Sequence, residues 1–272
     1  MAYAMLVDTT KCTGCRGCQV ACKRWNELSP EKTTLSGEWT NPPDLTGQTW
    51  TVVFFKEMSK GGEMQWKFTK WQCMHCEEPP CASVCPSLAI SKTPEGPVVI
   101  DTTRCIGCKY CVEACPFDAV RFDSRGTQEL YGVKLGGIKA GDIESGGGSV
   151  GVARKCHMCY NRIAQGRKPA CVETCLTGAI QFGDRAEIIQ KAKTRAAAVN
   201  GYVYGEKEAG GTSVVYVLDA PPQELGLPAV TPKRYSEVKA DMYKSIGGFG
   251  IIGAIILGLV YYFTKPKAEE AK

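Results

Sequence analysis

Residues 99–116 read VIDTTRCIGCKYCVEACP, in which four cysteines have the spacing C-x2-C-x2-C-x3-C and are followed by proline. In such a run, three thiolates bind one 4Fe–4S cluster and the fourth thiolate crosses to a second cluster. The run therefore requires a partner run elsewhere in the chain. Its cysteines are Cys105, Cys108, Cys111 and Cys115.

Three further runs supply partners, and the four runs together contain all sixteen cysteines of the chain. The first run has the same spacing without the proline, the second has four residues in its middle gap, and the fourth has eleven. Four such runs predict four 4Fe–4S clusters. The three further runs are Cys12, Cys15, Cys18 and Cys22; Cys73, Cys76, Cys81 and Cys85; and Cys156, Cys159, Cys171 and Cys175.

Composition limits the class of protein. In a chain of 272 residues, thiols two or three residues apart favour metal centres, loaded in a reducing compartment, over a disulfide framework. The first residues carry no basic segment before an apolar run, so we expect no signal peptide. The formal charge of +5 omits the thiolates and the iron they bind, so it gives no reason to expect nucleic-acid binding.

An internal duplication indicates the fold class. Residues 7–22 and 100–115 are identical at nine of sixteen positions. Three runs are followed by a turn and a short apolar segment, which begin at Pro86, Pro116 and Leu176. This is the arrangement of ferredoxins. We predict an α+β fold of two ferredoxin-like units, each with two 4Fe–4S clusters, plus a C-terminal transmembrane helix.

The separation of the runs predicts how they pair. Only nineteen residues lie between Cys85 and Cys105, and the second and third runs both end in Cys-Pro. We pair these two runs with each other, and the first run with the fourth. The predicted ligand sets are Cys12, Cys15, Cys18 and Cys175 (site 1); Cys73, Cys76, Cys81 and Cys115 (site 2); Cys105, Cys108, Cys111 and Cys85 (site 3); and Cys156, Cys159, Cys171 and Cys22 (site 4).

The pairing divides the chain into an outer and an inner ferredoxin-like unit. We predict the outer unit at residues 1–26 and 150–183, a hairpin insertion at 27–65, and the inner unit at 66–123. The remaining segments are a glycine-rich surface loop at 124–149, a helix–strand extension at 184–240, a transmembrane helix at 243–264 and a polar tail at 265–272.

Local patterns predict further elements. Strands at 49–58 and 64–69 flank Gly61-Gly62, a hairpin signal. Residues 184–199 have helical spacing, with Asp184 as the N-cap and Asn200-Gly201 as the stop, and 213–218 form a strand. All five tryptophans lie between Trp25 and Trp71, where they pack over the first run or form a docking surface.

Residues 246–263 are eighteen residues without a charge. A helix of this length spans roughly 27 Å, close to the ~30 Å hydrocarbon core of a bilayer, so we favour a single transmembrane helix over a buried core helix. Gly250, Ala254 and Gly258 form a stripe of small residues that allows close approach of another helix. Lysines and arginines flank the segment on both sides, so their distribution does not predict its orientation in the membrane.

Zinc ribbons and an autonomous enzyme are alternative interpretations. Zinc ribbons split their cysteines two and two rather than in runs of four. The sequence has no nucleotide-binding glycine motif, no HExxH and no nucleophile elbow. The two histidines, His75 and His157, lie inside C-x2-C loops, where we expect hydrogen bonding near a cluster rather than proton transfer. A non-catalytic electron-transfer protein is favoured, with a zinc-binding structural or nucleic-acid-binding protein as the remote alternative.

The chain resembles, over nearly its full length, the iron–sulfur beta subunits of molybdenum and tungsten oxidoreductases. Within that group it is most similar to the beta subunit of membrane-bound formate dehydrogenase. It departs from the usual pattern at Leu176, which replaces a proline, and in its longer glycine-rich loop. The resembling segments are Cys73-Met74-His75-Cys76-Glu77, Arg162 with Pro169-Ala170-Cys171-Val172, and residues 211–218 with Gly226-Leu227-Pro228.

The resemblance implies an electron relay in a membrane-bound complex. A molybdopterin-containing catalytic subunit would supply electrons, and a membrane cytochrome b, docked through the C-terminal helix, would pass them to quinone. The alternative is the same relay in a nickel–iron hydrogenase or another molybdoenzyme. The resemblance also implies a single pass through the cytoplasmic membrane, with the clusters on the periplasmic side. Backbone hydrogen bonds and nearby cations would tune the potentials, the cations being Lys11, Arg16, Arg104, Lys109 and Lys155.

Overall fold

The computed structural model of the 272-residue chain describes residues 2–34, 37–124, 127–130, 133–139 and 151–243. Its strands are β1 (Tyr3–Asp8), β2 (Thr51–Lys60), β3 (Glu63–Gln72), β4 (Ile90–Lys92), β5 (Val98–Ile100), β6 (Arg121–Asp123), β7 (Thr127–Leu130), β8 (Val133–Lys139), β9 (Val152–Arg154), β10 (Ile180–Asp184), β11 (Tyr202–Tyr204) and β12 (Val214–Leu218). Its α-helices are α1 (Gly17–Trp25), α2 (Pro80–Ser83), α3 (Tyr110–Glu113), α4 (Tyr160–Ile163), α5 (Ala170–Glu173) and α6 (Arg185–Ala198), and residues 235–243 are also helical. Short 3-10 helices lie at Thr9–Lys11, Glu208–Gly210 and Pro222–Leu225.

A four-stranded sheet in the order β10-β1-β12-β11 forms the centre of the fold. β1 pairs antiparallel with β10 and parallel with β12. Because successive side chains of a strand point to opposite faces, Ala4 and Leu6 pack under α6, while Met5 and Val7 join the core that contains cysteines of sites 1, 2 and 4. The sheet therefore separates α6 from those sites.

The predicted helix after residue 184 is confirmed as α6. The carboxylate of Asp184 accepts the backbone N–H of Ala186 at 2.9 Å, which satisfies one of the free N–H groups of the first turn. Beyond the last turn, the backbone N–H of Gly201 donates to the carbonyl of Ala196 at 2.8 Å. The predicted strand that follows is confirmed as β12.

The predicted hairpin is confirmed as β2 and β3. The two strands pair antiparallel from Thr51 opposite Gln72 to Lys60 opposite Glu63, and Gly61 and Gly62 form the turn with φ of +63° and +86°. β3 runs past residue 65, the predicted end of the insertion, and leads directly into Cys73. The hairpin is thus continuous with the backbone of site 2.

The duplicated segments adopt the same local structure. The Asp8 carboxylate accepts the N–H and hydroxyl of Thr10 at 3.1 and 2.6 Å. The Asp101 carboxylate accepts the N–H and hydroxyl of Thr103 at 3.0 and 2.6 Å. A side chain that closes its own turn in this way fixes the direction in which the chain enters each cysteine run. Both turns follow a strand, β1 or β5, as the repeat predicts.

The predicted surface loop at 124–149 is wrong in part, because β7 and β8 lie within it and pair antiparallel. Glycine favours turns, but the backbone groups between the turns still need hydrogen-bond partners, and strand pairing supplies them. The predicted transmembrane helix, with Gly250, Ala254 and Gly258, and the predicted tail lie outside the described residues, apart from Tyr243. Within the described ranges, no helix is both long enough and apolar enough to cross a membrane.

Candidate iron–sulfur centres

Each cysteine run bends around its thiols through a left-handed residue before its second cysteine, and the first, third and fourth runs contain another such residue, at Arg16, Lys109 and Cys159. The residue before the second cysteine has a positive φ in all four runs: Gly14 (+67°), His75 (+51°), Gly107 (+71°) and Met158 (+57°). Left-handed turns of this kind direct successive N–H groups into one concavity, which favours anions such as thiolates. The sequence places glycine at only two of these positions, yet the backbone conformation is the same at all four.

Two of the predicted ligand sets surround cavities. Cys85, Cys105, Cys108 and Cys111 of site 3 line one cavity together with Lys109. Another cavity is lined by the thiols of site 4, which are Cys22, Cys156, Cys159 and Cys171.

The structure brings together the thiols of each predicted site. Cys22, from the first run, interacts electrostatically with the three thiols of the fourth run that were predicted for site 4. In site 1, Cys12 interacts with Cys15 and Cys175, and Cys18 interacts with Cys12 and Cys15. The corresponding interactions in the inner unit join Cys76 to Cys73, Cys81 and Cys115 (site 2), and Cys111 to Cys105, Cys108 and Cys85 (site 3).

Burial keeps most of these thiols protonated unless a cation binds. Burial raises the pKa of Cys18 to about 12 and that of Cys156 to about 11, in both cases partly offset by the charge of Lys70. Burial also raises the pKa of Cys22 well above its ordinary value. Thiols bind metal as thiolates, so a bound iron core must supply the positive charge that removes these protons.

Hydrogen-bond donors point at the sulfur atoms, as an iron–sulfur centre requires. Backbone N–H groups donate to Cys85 Sγ from Ala89 (3.3 Å), to Cys115 Sγ from Ala119 (3.4 Å), to Cys105 Sγ from Ala153 (3.5 Å) and to Cys156 Sγ from Met158 (3.3 Å). The side-chain amide of Asn26 donates to Cys22 Sγ at 3.6 Å. The same geometry therefore recurs in sites 2, 3 and 4.

The two histidines are neutral and held by hydrogen bonds. The Nδ1 atoms of His75 and His157 accept backbone N–H groups at 2.8 and 3.1 Å, which places the proton of each ring on Nε2. Burial, together with the charge of Lys155, lowers the pKa of His157 to about 4, and the pKa of His75 also falls well below its usual value. Within the described residues, the buried Nε2 of His75 has no hydrogen-bond partner, as fits a donor to a cluster sulfur.

The predicted tuning cations occupy different environments. Lys155 is buried and donates to the carbonyls of Val98 and Cys156. Lys109 lines the site 3 cavity, while the side chains of Lys11 and Arg104 are exposed. Arg16 lies over the ring of Phe55, 4.5 Å from its centroid.

Sequence reasoning missed a fully buried lysine on β3. Lys70 is 1% exposed and interacts electrostatically with four cysteine thiols of two different sites. Lys70 lies inside a strand that ends in buried residues. Because charged side chains are rarely buried without a partner, this position could have identified it.

The tryptophans divide into buried and exposed residues, and their role in docking stays a prediction. Trp50 and Trp71 are buried in the core, and the indole of Trp50 packs edge-on against His157. Trp66 on β3 and Trp39 in the segment before β2 are 42% and 61% exposed, with ring centroids 5.5 Å apart.

The cavities, thiols and N–H donors fit 4Fe–4S clusters. Within the described residues, no three His, Cys, Asp or Glu side chains form a group that could hold a single metal ion. The thiols instead surround a space, as the ligands of a multi-iron core do.

Comparisons with known proteins support this chemistry. Residues 64–129 and 146–185 match a family described as "4Fe-4S dicluster domain", and residues 11–89 match a second family with the same description. The chain is 36% identical to the nitrate-inducible formate dehydrogenase iron–sulfur subunit of Escherichia coli (strain K12) over 272 residues, which is 96% of this chain and 84% of that protein. The chain belongs to the formate dehydrogenase iron–sulfur subunit family. Its resemblance to that family and its content of four 4Fe–4S clusters are thus confirmed.

Other relatives show the breadth of this iron–sulfur subunit family. The formate dehydrogenase iron–sulfur subunit of Haemophilus influenzae is 33% identical over 280 residues, covering 98% of this chain and 82% of that protein. The Hydrogenase-2 operon protein HybA of Escherichia coli O157:H7 is 30% identical over 298 residues, covering 95% and 83%. Membership of this family thus supports an electron-transfer role for the chain.

In this iron–sulfur subunit, Asn26→Leu should lower the midpoint potential of the cluster that Cys22 binds. The variant removes the amide that donates to Cys22 Sγ, and loss of a donor to a ligand sulfur disfavours the reduced, more negative cluster. We expect a shift on the order of 50 mV, because a hydrogen bond contributes about 1 kcal/mol and a tenfold change for one electron is ~59 mV. Redox titration followed by EPR measures it.

The matched control is Asn161→Leu. Asn161 accepts the indole N–H of Trp25 at 3.2 Å, and the structure gives it no hydrogen bond to a cysteine sulfur. Equal shifts in the two variants would contradict a role for the Asn26 donor.

Proposed function

We propose that this chain is the non-catalytic electron-transfer subunit of a membrane-bound oxidoreductase complex, with formate dehydrogenase as the parent enzyme. The ligand sets are those of sites 1 to 4. A bound 4Fe–4S cluster supplies reversible electron transfer at a potential set by its surroundings. The protein positions the clusters and controls those surroundings.

The observation that carries this proposal is the spatial order of the sites. Cys18 of site 1 interacts electrostatically with Cys171 of site 4. Cys156 of site 4 interacts with Cys73 of site 2. Within the inner unit, Cys81 of site 2 interacts with Cys111 of site 3. These interactions support a path in the order 1–4–2–3.

The two ends of this path reach the protein surface. Cys15 of site 1 and Cys108 of site 3 are exposed, whereas all four cysteines of site 4 are buried. Exposed apolar side chains lie near both ends of the path, as expected where other subunits bind. Near site 1 these are Val20, Trp39, Trp66 and Leu176, and near site 3 they are Leu88, Ile106 and Tyr110.

The hairpin supports site 1 as one docking end. Phe68 packs so closely on the first run that a Cβ at Gly14 would lie 2.7 Å from its ring. Phe55 and Trp66 extend this aromatic cluster outward, with centroids 6.2 Å apart. A partner that covers Trp39 and Trp66 would therefore lie beside the exposed thiol of site 1.

The position of the last described helix supports the inner unit, which holds sites 2 and 3, as the membrane end. The backbone N–H of Ser236, at the start of this helix, donates to Glu78 at 3.0 Å, and the adjacent Glu77 pairs with Arg185 and Lys92. Arg185 lies at the end of the sheet opposite to site 1, a β1 length of roughly 17 Å away. Lys92 is separated from site 3 only by the short strand β4.

We infer that the apolar segment at 243–264 then crosses the cytoplasmic membrane once and meets a cytochrome b, which passes electrons to quinone. The stripe of Gly250, Ala254 and Gly258 supports this helix contact. A molybdopterin-containing catalytic subunit would dock at site 1, and the clusters would lie on the periplasmic side.

A nickel–iron hydrogenase is the second candidate for the parent complex. The similarity to HybA, a Hydrogenase-2 operon protein, favours it as an alternative. The path through the four sites would be unchanged, and only the partner at one end would differ.

The deciding experiment is anaerobic purification of the complex through a tag on this chain. We expect a large subunit that contains molybdenum or tungsten with a pterin, and formate-dependent dye reduction by the complex. This chain alone should show no such activity, because all sixteen cysteines are assigned to clusters and the sequence carries no nucleotide-binding glycine motif. Nickel in the large subunit would instead support the hydrogenase candidate.

The ligand sets are tested with Cys22→Ser. This variant should alter the same EPR signal as Cys159→Ser, because both cysteines are assigned to site 4. It should leave intact the signal that Cys15→Ser alters, although Cys22 is much closer in sequence to Cys15. Loss of the Cys15-dependent signal alone would show that the assignment is wrong.

The membrane contact is tested with the double variant Gly250→Leu, Gly258→Leu. Both substitutions retain hydrophobicity but block close helix approach. The variant should stay in the membrane fraction with all four clusters and lose quinone-linked electron transfer. Ile252→Leu with Ile256→Leu, on the opposite side of a helix, is the control. Unchanged quinone reduction in the glycine variant would contradict the proposed contact.

A further inference from the structure

Lys70 lies at the junction between sites 1 and 4. Its ammonium group donates to Thr51 Oγ1 at 3.3 Å and to the side-chain carbonyl of Gln72. The same Gln72 oxygen lies 4.0 Å from the sulfur of Cys156. The backbone carbonyl of Lys70 accepts the hydroxyl of Tyr216 at 2.8 Å, so the residue is fixed at both ends.

No carboxylate neutralises this lysine among the residues that the structure describes. A buried ammonium without a negative partner is strongly unfavourable, and it normally loses its proton. Its ammonium group is instead within electrostatic reach of four cysteine ligands, Cys18 of site 1 with Cys171, Cys156 and Cys22 of site 4. Four thiolates outweigh the positive charge of the iron core that they bind, so the occupied sites would supply the negative partner.

We infer that Lys70 is a fixed cation shared by sites 1 and 4, which raises the midpoint potentials of both clusters. This inference rests on the proposed electron-transfer function and adds a specific tuning residue to it. An added electron makes a cluster more negative, so a permanent positive charge beside it favours the reduced form. Because the charge lies between two successive sites, it favours reduction on either side of this junction.

Lys155 offers a natural comparison. Among the described residues it is the other buried lysine with electrostatic contact to a predicted ligand, and it acts on Cys81 of site 2. Its ammonium group donates to the carbonyls of Val98 and of Cys156, a ligand of site 4. Lys155 therefore lies between sites 2 and 4 and Lys70 between sites 1 and 4, so the effect on site 1 distinguishes the two lysines.

The test uses Lys70→Met in the intact complex, with potentials measured by redox titration and EPR. Signals are assigned with single Cys→Ser variants at each site. The clusters of sites 1 and 4 should shift to more negative potentials, and the site 3 cluster should not shift. Lys70→Arg should restore the potentials toward those of the natural protein. Lys155→Met should shift the site 2 cluster and leave site 1 unchanged.

The iron content of the complex distinguishes failure of this inference from failure of the proposed function. A complex with fewer than four clusters in the natural chain would contradict the electron-transfer proposal itself. Unchanged potentials at sites 1 and 4, in a Lys70→Met complex with the same iron content as the natural complex, would overturn only the role of Lys70. An equal shift at all four sites would also overturn it.

Thr51→Asp provides a second route if Lys70→Met fails to assemble. It retains Lys70 and places a carboxylate beside the ammonium group, since Thr51 Oγ1 is 3.3 Å from it. Neutralising the cation in this way should produce the same negative shift at sites 1 and 4. Unchanged potentials in this variant would overturn the inference.

Discussion

The convergence of buried thiols is the constraint on which the rest of the structure depends. Cys22 approaches three other thiols in the interior, where ionisation of all four without a compensating charge would be prohibitive. The same thiols line a cavity at the centre of site 4. A bound core fills this space and supplies the compensating positive charge. Folding and cluster binding are therefore coupled, as in other small metal-dependent domains.

The duplication explains why two units share one backbone geometry, and the hairpin explains how they differ. Asp8 and Asp101 close equivalent turns, and each is followed by a cysteine run. The hairpin packs Phe68 against the first run and delivers the chain directly to Cys73. It also carries Lys70 into the junction of two sites. An insertion outside the repeat thus supplies contacts that neither repeat could supply alone.

The sequence predicted the features that depend on local spacing. Cysteine runs, the glycine turn of the hairpin and the Asp184 cap are each determined by a few neighbouring residues, and each is found. The cations were predicted by sequence adjacency to cysteines, which does not determine distance in the fold. Lys11 is adjacent to Cys12 and yet exposed, whereas Lys70 becomes close to Cys18 and Cys171 only through strand pairing. Long-range packing of this kind leaves little trace in local sequence.

The left-handed residue before the second cysteine of each run differs between the terminal sites, 1 and 3, and the interior sites, 2 and 4. The residue is glycine at the terminal sites, Gly14 in site 1 and Gly107 in site 3, where the adjacent thiols are exposed. At the interior sites it is His75 or Met158, and both side chains are fully buried. A left-handed conformation costs a side-chain-bearing residue roughly 1–2 kcal/mol.

Burial of a side chain such as that of Met158 contributes ~1.5–3 kcal/mol, enough to offset that cost. An interior site therefore gains packing against its neighbours in return for backbone strain. At Gly14 of terminal site 1 the ring of Phe68 already occupies the space that a side chain would need, so glycine is required there. The choice of residue at one position thus matches the position of each site along the proposed electron path.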